Sequence, residues 1–350
     1  MFRFLVFGYF GHGNLGDEMM LHAFLSGMKK RIKFDVTVIS GNVEETARVH
    51  SVKSVRKLDM PKIAKRILKS DAAIGCGGSL LQDATSLRSL LYYTSLILLS
   101  RSLRCKPILL AQGLGPLRRR ASKRLASTAM RSCELLTFRD KASLELAAKL
   151  GAPMDKVHLT ADLAFMIEPQ FEAKPPSKQV AIAVAMRDWH GASDVMMHIA
   201  QGLLTLPIKI GSVRCISLSS NDKPLSERLC EQLGAHEATA IAPASICELW
   251  KAINGMHLLI GVRLHSLIAA CMVGIPAIAI SYDPKVKALM DSFAPHLCIP
   301  WGEVSAKRVR ECVIECLDRW NELHTSALQF ARVARALSER NLTLLLETLL

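Results

Sequence analysis

Gly261-Val262-Arg263-Leu264-His265-Ser266-Leu267-Ile268-Ala269-Ala270 is the stretch on which the fold turns. The apolar run from Met256 to Ile260 leads into it and reads as a buried strand. Gly261 frees the backbone for a sharp turn. From Leu264 the apolar spacing predicts a helix to Val273, ended by Gly274 and Pro276. Arg263 and His265 therefore belong to a strand-to-helix junction, where open α/β sheets place ligand-binding residues. A fixed cation beside a titratable imidazole at a helix N-terminus suits an anionic substrate that needs a proton moved. A basic loop with a satisfied surface histidine fits the same pattern, and the local sequence does not separate the two.

The same alternation of strand and helix extends in both directions. Towards the C-terminus, Ala277 to Ile280 predicts the next strand, ending in Ser281-Tyr282-Asp283-Pro284-Lys285. Ser305 to Trp320 and Ser326 to Leu350 read as closing helices. Upstream, Val180 to Ala185 is a strand ending in Met186-Arg187-Asp188, followed by a helix from Ser193 to Leu206 and a strand from Ser212 to Leu218. Pro224 to Leu233 and Ala244 to Ile253 read as helices around a short strand. The stretch before Val180 holds three prolines and little apolar periodicity. It predicts a linker over 169–178, between an N-terminal domain of residues 1–168 and a C-terminal domain of residues 179–350.

The N-terminal half begins with a near-continuous apolar run, Phe2 to Phe7, the pattern of a strand buried on both faces. Gly11-x-Gly13-x-x-Gly16 follows it in the strand–loop–helix context of a dinucleotide site. The second strand, Val36 to Ile39, ends in Ser40-Gly41-Asn42, without the acid that would hold a ribose. Asp17 and Glu18 open the helix where a pyrophosphate would lie, and their charge repels it. A loop contacting a neutral or sugar-like ligand fits better, with Asp17 either as a contact or as a helix cap. Ala72 to Ile74 runs into Gly75-Cys76-Gly77-Gly78-Ser79-Leu80-Leu81-Gln82-Asp83, whose glycines let backbone N–H groups approach a ligand. Ile108 to Ala111 ends in Gln112-Gly113-Leu114-Gly115-Pro116, Leu135 to Phe138 in Arg139-Asp140, and Val157 to Thr160 in Ala161-Asp162.

Composition bounds the function classes. At 350 residues the chain suits two domains, and 50% hydrophobic content is ample for two cores. The formal net charge of +14 points to anionic partners. Only 5% of residues are aromatic, which argues against base stacking, so no nucleic-acid partner is expected. The ten cysteines include no C-x-x-C pair and read as reduced core residues of a cytoplasmic protein. No signal-peptide pattern precedes the first strand, and Leu90 to Leu99 is too short to span a bilayer. Two basic runs remain: Lys62, Lys65, Arg66 and Lys69 on one predicted helix, and Arg118, Arg119, Arg120, Lys123 and Arg124 at the start of another. They read either as solvated faces or as a surface that docks peripherally on an anionic membrane, on its inner face.

Taken in order, these junctions resemble the polysaccharide pyruvyl transferase family, in the bacterial type that modifies a cell-wall polysaccharide. The resemblance rests on Gly13-Asn14-Leu15-Gly16-Asp17, Gly77-Gly78-Ser79-Leu80-Leu81-Gln82-Asp83, Gln112-Gly113-Leu114-Gly115-Pro116, Arg263-Leu264-His265 and Tyr282-Asp283-Pro284-Lys285-Val286. Phe138-Arg139-Asp140 and Thr160-Ala161-Asp162 also fit. Cys76 departs from the glycine usual there. The resemblance implies an α/β fold of two Rossmann-like doubly wound domains facing across a cleft, as in glycosyltransferase B. It implies phosphoenolpyruvate as donor, a sugar diol as acceptor, lipid-linked or not, and a pyruvate ketal and phosphate as products. No cofactor and no metal are implied.

Residue types suit that chemistry. Phosphoenolpyruvate carries a phosphate and a carboxylate, and arginine engages both with its fork. Arg139, Arg187, Arg263 and Lys285 each follow a predicted strand and are expected to converge on the donor. His265 is the expected proton carrier, beside Arg263. Asn14, Asp17, Gly77, Gly78, Ser79, Gln82, Asp83 and Gln112, in the matched loops of the first half, are the expected acceptor-side residues. Two other readings stay open: a glycosyltransferase using a nucleotide sugar on the same architecture, and a basic anion-binding protein without catalysis.

Overall fold

The apolar runs of the sequence become strands that pair in parallel throughout, in a computed structural model that describes residues 1–84 and 86–350. The first seven strands are β1 (Phe2–Phe7), β2 (Phe34–Ser40), β3 (Lys53–Arg56), β4 (Ala72–Cys76), β5 (Lys106–Gln112), β6 (Leu135–Phe138) and β7 (Val157–Leu159). They form one sheet in the order β3-β2-β1-β4-β5-β6-β7. Six more follow: β8 (Val180–Ala185), β9 (Ile210–Ile216), β10 (Ala238–Ile241), β11 (Leu258–Gly261), β12 (Ala277–Ser281) and β13 (Cys298–Pro300). Their order is β10-β9-β8-β11-β12-β13. A parallel sheet needs helical crossovers on its faces, which explains why its central strands are nearly continuous apolar runs. In β1, Phe4, Leu5, Val6 and Phe7 are all buried.

The chain falls into two units, Met1–Ile167 with Ala334–Leu350, and Glu168–Val333. In the first, the helices Met60–Ile67, Leu87–Ser102, Arg120–Ser132 and Lys141–Lys149 bury Ile63, Ile67, Leu90, Ile97, Met130 and Ala147 in one apolar cluster with Leu5 and Phe7 of β1. Each such side chain contributes about 1.5–3 kcal/mol by leaving water. In the second unit, the helix Leu264–Val273 follows β11 as the spacing predicts. It ends at Gly274, whose φ of +74° lies in the left-handed region. A Cβ there would also lie 2.5 Å from Nδ1 of His324, so glycine is required twice over.

The structure departs from the sequence reading in several places. Two edge strands escape it. β3 reads Lys-Ser-Val-Arg, with one fully buried side chain, and β13 is three residues ending in proline. An edge strand buries only part of itself, so the apolar signature is lost. The two closing helices run Ala306–Asp318 and Trp320–Leu349. The second starts in one unit and ends in the other, so residues 334–350 pack with the first unit and not with the half they follow in sequence.

Asn341 accounts for that placement. It is fully buried and accepts hydrogen bonds from the hydroxyls of Thr137 on β6 and, at 2.9 Å, Thr160 beyond β7. Its amide nitrogen donates to the Ala161 carbonyl at 3.2 Å and to that of Ser338 at 2.9 Å. All these groups lie in the first unit, where they pin the last helix to the sheet edge. Asn341→Ala removes these bonds, leaving Thr137 Oγ1 without an acceptor for its proton while Thr160 Oγ1 keeps only the Phe138 carbonyl at 3.3 Å, and is expected to lower stability by about 1–3 kcal/mol. Thermal denaturation checks this; an unchanged midpoint would show that the helix is held by apolar packing alone.

Candidate active site

Both sheets reverse their direction of growth once, between β1 and β4 in the first and between β8 and β11 in the second. Loops leaving two such strands diverge, and the opening between them is where α/β proteins bind ligands. In the second sheet, Gly261 at the end of β11 is aligned with Ala185 on β8 and with Ala279 on β12. Three neighbouring strands therefore deliver three loops to one edge: Met186-Arg187-Asp188, Val262-Arg263-Leu264-His265, and Tyr282-Asp283-Pro284-Lys285.

Arg187 is held between aromatic rings. Its guanidinium carbon lies 4.5 Å from the Tyr282 ring centre and 5.2 Å from that of Trp189, and its Nη1 donates to the Tyr282 hydroxyl. The rings of Trp189 and Tyr282 are themselves 5.1 Å apart, and Trp301 closes on Tyr282 at 6.3 Å. This contact joins the β8 loop to the β12 loop, on either side of the loop leaving β11. Among the described residues, Nε of Arg187 is buried with no hydrogen-bond partner. A buried donor of this kind calls for an acceptor, whether water, ion or ligand. Lys285 pairs with Asp283 at 3.2 Å and lies 5.8 Å from the Tyr282 ring centre.

Arg263 has a different setting from the one expected. Its Nε and Nη2 donate to the two oxygens of Asp222, at 2.6 and 2.7 Å. Asp222 is wholly buried and also accepts the backbone N–H of Asp188 at 3.0 Å. The fork expected to hold the donor thus engages Asp222 inside the protein, and Nη1 lies outside that pair. Asp222 itself is a residue the sequence reading missed. It closes Ser219-Ser220-Asn221-Asp222 after β9, a run that looks like any polar turn. His265 is the second residue of the helix Leu264–Val273, half-buried, at the helix end where backbone N–H groups lack intrahelical partners. The β8 loop also walls a pocket of about 270 Å³, lined by Asp188, Trp189, Asn221, Pro224 and Arg228 among others.

In the first unit, the loops after β1 and β4 meet. Asn14 caps the helix Leu15–Lys29, accepting from Gly16 N–H at 3.3 Å, and its amide donates to the buried Asp17. Gly77 has φ of +66°, and a Cβ there would meet Met20 Sδ at 2.4 Å. Gly78 beside it donates its N–H to the same sulfur at 3.2 Å. Gln112 is buried, with its amide nitrogen on the carbonyls of Gly75 (3.2 Å), Gly77 (2.7 Å) and Leu110 (3.0 Å). Its donors are spent on holding the glycine loop. Asp83 accepts the backbone N–H groups of Arg118 at 2.9 Å and Arg119 at 3.1 Å. Burial alone would raise its carboxyl, but those bonds, with the Ser122 hydroxyl, hold it below the usual carboxylate range. Gly78, Ser79 and Gln82 are half-buried in the loop that Gln112 and Asp83 support.

Arg139 also lies in the first unit, whereas Arg187, Arg263 and Lys285 lie in the second. Its side chain is only 5% exposed and pairs with the equally buried Asp162 at 2.7 Å, while Nη2 reaches Ser79 Oγ at 3.3 Å. It links the loops after β4, β6 and β7. The expectation that four basic groups gather on one donor thus reduces, within a unit, to Arg187, Arg263 and Lys285. His12, in the glycine loop after β1, stacks on Tyr9 at 4.3 Å and accepts at Nε2 from Lys57 at 3.1 Å. Burial and the Lys57 charge both push its pKa down, so it stays neutral near pH 7.

A family model described as polysaccharide pyruvyl transferase matches residues 14–284. The amylovoran biosynthesis protein AmsJ of Erwinia amylovora is 23% identical over 312 residues, 81% of this chain and 72% of that protein. Among solved structures, a putative UDP-N-acetylglucosamine 2-epimerase from Listeria monocytogenes is similar with a TM-score of 0.71 at 10% identity, over 98% of this chain and 95% of that one. Anabaena HepE in complex with UDP-glucose gives 0.65 at 10% identity, over 99% and 98%. At such identities the likeness concerns the fold, which is of the glycosyltransferase B-like α/β type. The sequence match runs through both units, from the first glycine loop to the loop after β12, and the chain belongs to the polysaccharide pyruvyl transferase family.

Proposed function

We propose that the protein transfers the enolpyruvyl group of phosphoenolpyruvate to two hydroxyls of a sugar in a cell-wall or surface polysaccharide precursor. The products are a cyclic pyruvate ketal and phosphate. The observation that carries this reading is the buried, unpartnered Nε of Arg187, on a loop adjoining Arg263 and His265 at the switch point of the second sheet. An anion with two acidic groups suits that edge: Arg187 and Lys285 offer charge, the N-terminus of the helix Leu264–Val273 offers backbone N–H groups, and Arg263 offers Nη1. Asp222 keeps the Arg263 guanidinium in one orientation while that last nitrogen engages the ligand.

The chemistry needs protons moved at two places. One sugar hydroxyl attacks C2 of the donor while C3 takes a proton and becomes a methyl group. The bond from C2 to the phosphate oxygen breaks, and the second hydroxyl closes the ring on C2. Of the two hydroxyl protons, one ends on the methyl carbon and the other on phosphate. An imidazole gives and takes protons near neutrality, and His265 is the group assigned to do so. Asn14, Asp17, Gly77, Gly78, Ser79 and Gln82 of the first unit are assigned to the acceptor side, with Asp83 and Gln112 shaping their loop. AmsJ, by name an amylovoran biosynthesis protein, supports a polysaccharide precursor as acceptor class.

A second reading has an observation of its own. The pocket beside Trp189 offers an indole and the nearby Arg228, which suits a nucleoside phosphate, so a nucleotide-sugar glycosyltransferase is the competing assignment.

Incubation with phosphoenolpyruvate and a panel of lipid-linked and soluble sugars, followed by phosphate release, tests the proposal; release that depends on both substrates is expected. His265→Ala is expected to lower turnover by about 10²–10⁴-fold while phosphoenolpyruvate still binds. Near-normal turnover would remove His265 from the chemistry. Arg263→Lys is expected to leave donor affinity well below the native value, because an ammonium cannot satisfy both oxygens of Asp222 and the ligand together. Full affinity in the lysine variant, measured by titration calorimetry, would mean that Arg263 supplies charge only.

A further inference from the structure

The chain carries 45 lysines and arginines against 31 acids, and the excess is concentrated. Residues 60–69 hold four basic residues, residues 87–104 three and residues 118–131 six, with no aspartate or glutamate in any of them. The rest of the chain therefore has 32 basic and 31 acidic residues and is close to neutral. All thirteen of these basic side chains are exposed. The segments contain the helices Met60–Ile67, Leu87–Ser102 and Arg120–Ser132, which connect β3 to β4, β4 to β5 and β5 to β6. Those three crossovers all step in the same direction along the sheet, and right-handed crossovers of that kind place their helices on one face. The shared apolar cluster under Ile63, Leu90 and Met130 agrees with that placement.

The same helices expose aliphatic side chains. Leu68 is 64% exposed, Leu91 44%, Leu98 36% and Met60 37%. Leu91 and Leu98, seven residues apart, lie on one stripe of their helix. A face that only kept the protein soluble would gain nothing from exposed leucines. A nucleic-acid surface would favour aromatic groups among the cations, and the three segments hold only Tyr92 and Tyr93 on their middle helix, the latter buried. Lysine and arginine around exposed leucine is the composition that lies on a bilayer, with the aliphatic groups below the headgroups and the cations among them.

We propose that this face of the first unit docks the protein peripherally on an anionic bilayer leaflet. Among the described residues no helix is long and apolar enough to cross a membrane, so attachment is by surface contact. The inference is independent of which donor the second unit takes. It places the protein where a lipid-linked acceptor would be found.

The test is co-sedimentation of the full chain with vesicles of phosphatidylcholine alone and of phosphatidylcholine with phosphatidylglycerol, at low and high salt. Binding to the anionic vesicles only, lost at high salt, is expected. Arg118→Gln, Arg119→Gln, Arg120→Gln and Lys123→Gln together are expected to weaken it by about tenfold or more. Leu68→Ser with Leu91→Ser, which leaves the charge unchanged, is expected to weaken it as well, with circular dichroism and melting showing both variants folded. Equal binding to neutral vesicles, no binding to either, an undiminished leucine variant, or tighter binding to duplex DNA than to the anionic vesicles would each overturn the proposal.

Discussion

The structure depends on the geometry of the parallel sheet. Within each sheet every strand points the same way, so every loop that follows a strand emerges on the same edge of that sheet. Where the strand order reverses, neighbouring loops part and cannot cover one another. The chain uses this twice, after β1 and β4 and again after β8 and β11. Most of the motifs that mark the family fall on these loops or on the loops next to them. The rest of the sequence serves mainly to bury the strands that hold them in place.

At those edges, Asp222, Gln112, Asp83 and Asp162 are engaged by the protein itself. Each is bound to groups of its own unit: Asp222 to Arg263, Gln112 to the glycine-loop carbonyls, Asp83 to two backbone N–H groups, Asp162 to Arg139. A buried carboxylate with its arginine is costly to break, because removing either partner strands a charge in a poor solvent. Such pairs fix loop geometry. Arg187 differs in having, among the described residues, no carboxylate on its guanidinium: it is clamped by rings, which fix its position, and its Nε, like that of Arg139, is buried and unpartnered.

Much of the fold was legible because a parallel sheet writes itself in the sequence as apolar runs punctuated by glycine. β1, β6 and β8 were readable to the residue, as was the helix Leu264–Val273. β3 and β13 were not, since an edge strand is half solvated and its residues look like loop. The packing of residues 334–350 with the first unit was hidden too. It rests on Asn341, one polar residue in a long helix, whose partners Thr137 and Thr160 are far away in sequence. For the candidate site, the sequence shows which residues follow strands and not what holds their side chains. The motif places Arg139 and Arg263 alike after strands, but only the structure shows Arg263 forked onto Asp222 and Arg139 bound to Asp162 through a single nitrogen. Asp222 carries no pattern that would single it out.

The central claim is that the edge of the second sheet, around Arg187, Arg263 and His265, takes phosphoenolpyruvate. The most direct measurement is a thermal-shift titration of the full chain with phosphoenolpyruvate and, in parallel, with a set of nucleotide sugars. Ligand that binds only the folded state raises its melting temperature by an amount that grows with the logarithm of its concentration above the dissociation constant. The account predicts stabilisation by phosphoenolpyruvate that is lost in Arg187→Met, and none by nucleotide sugars. Stabilisation by a nucleotide sugar with no response to phosphoenolpyruvate would contradict it and favour the glycosyltransferase assignment.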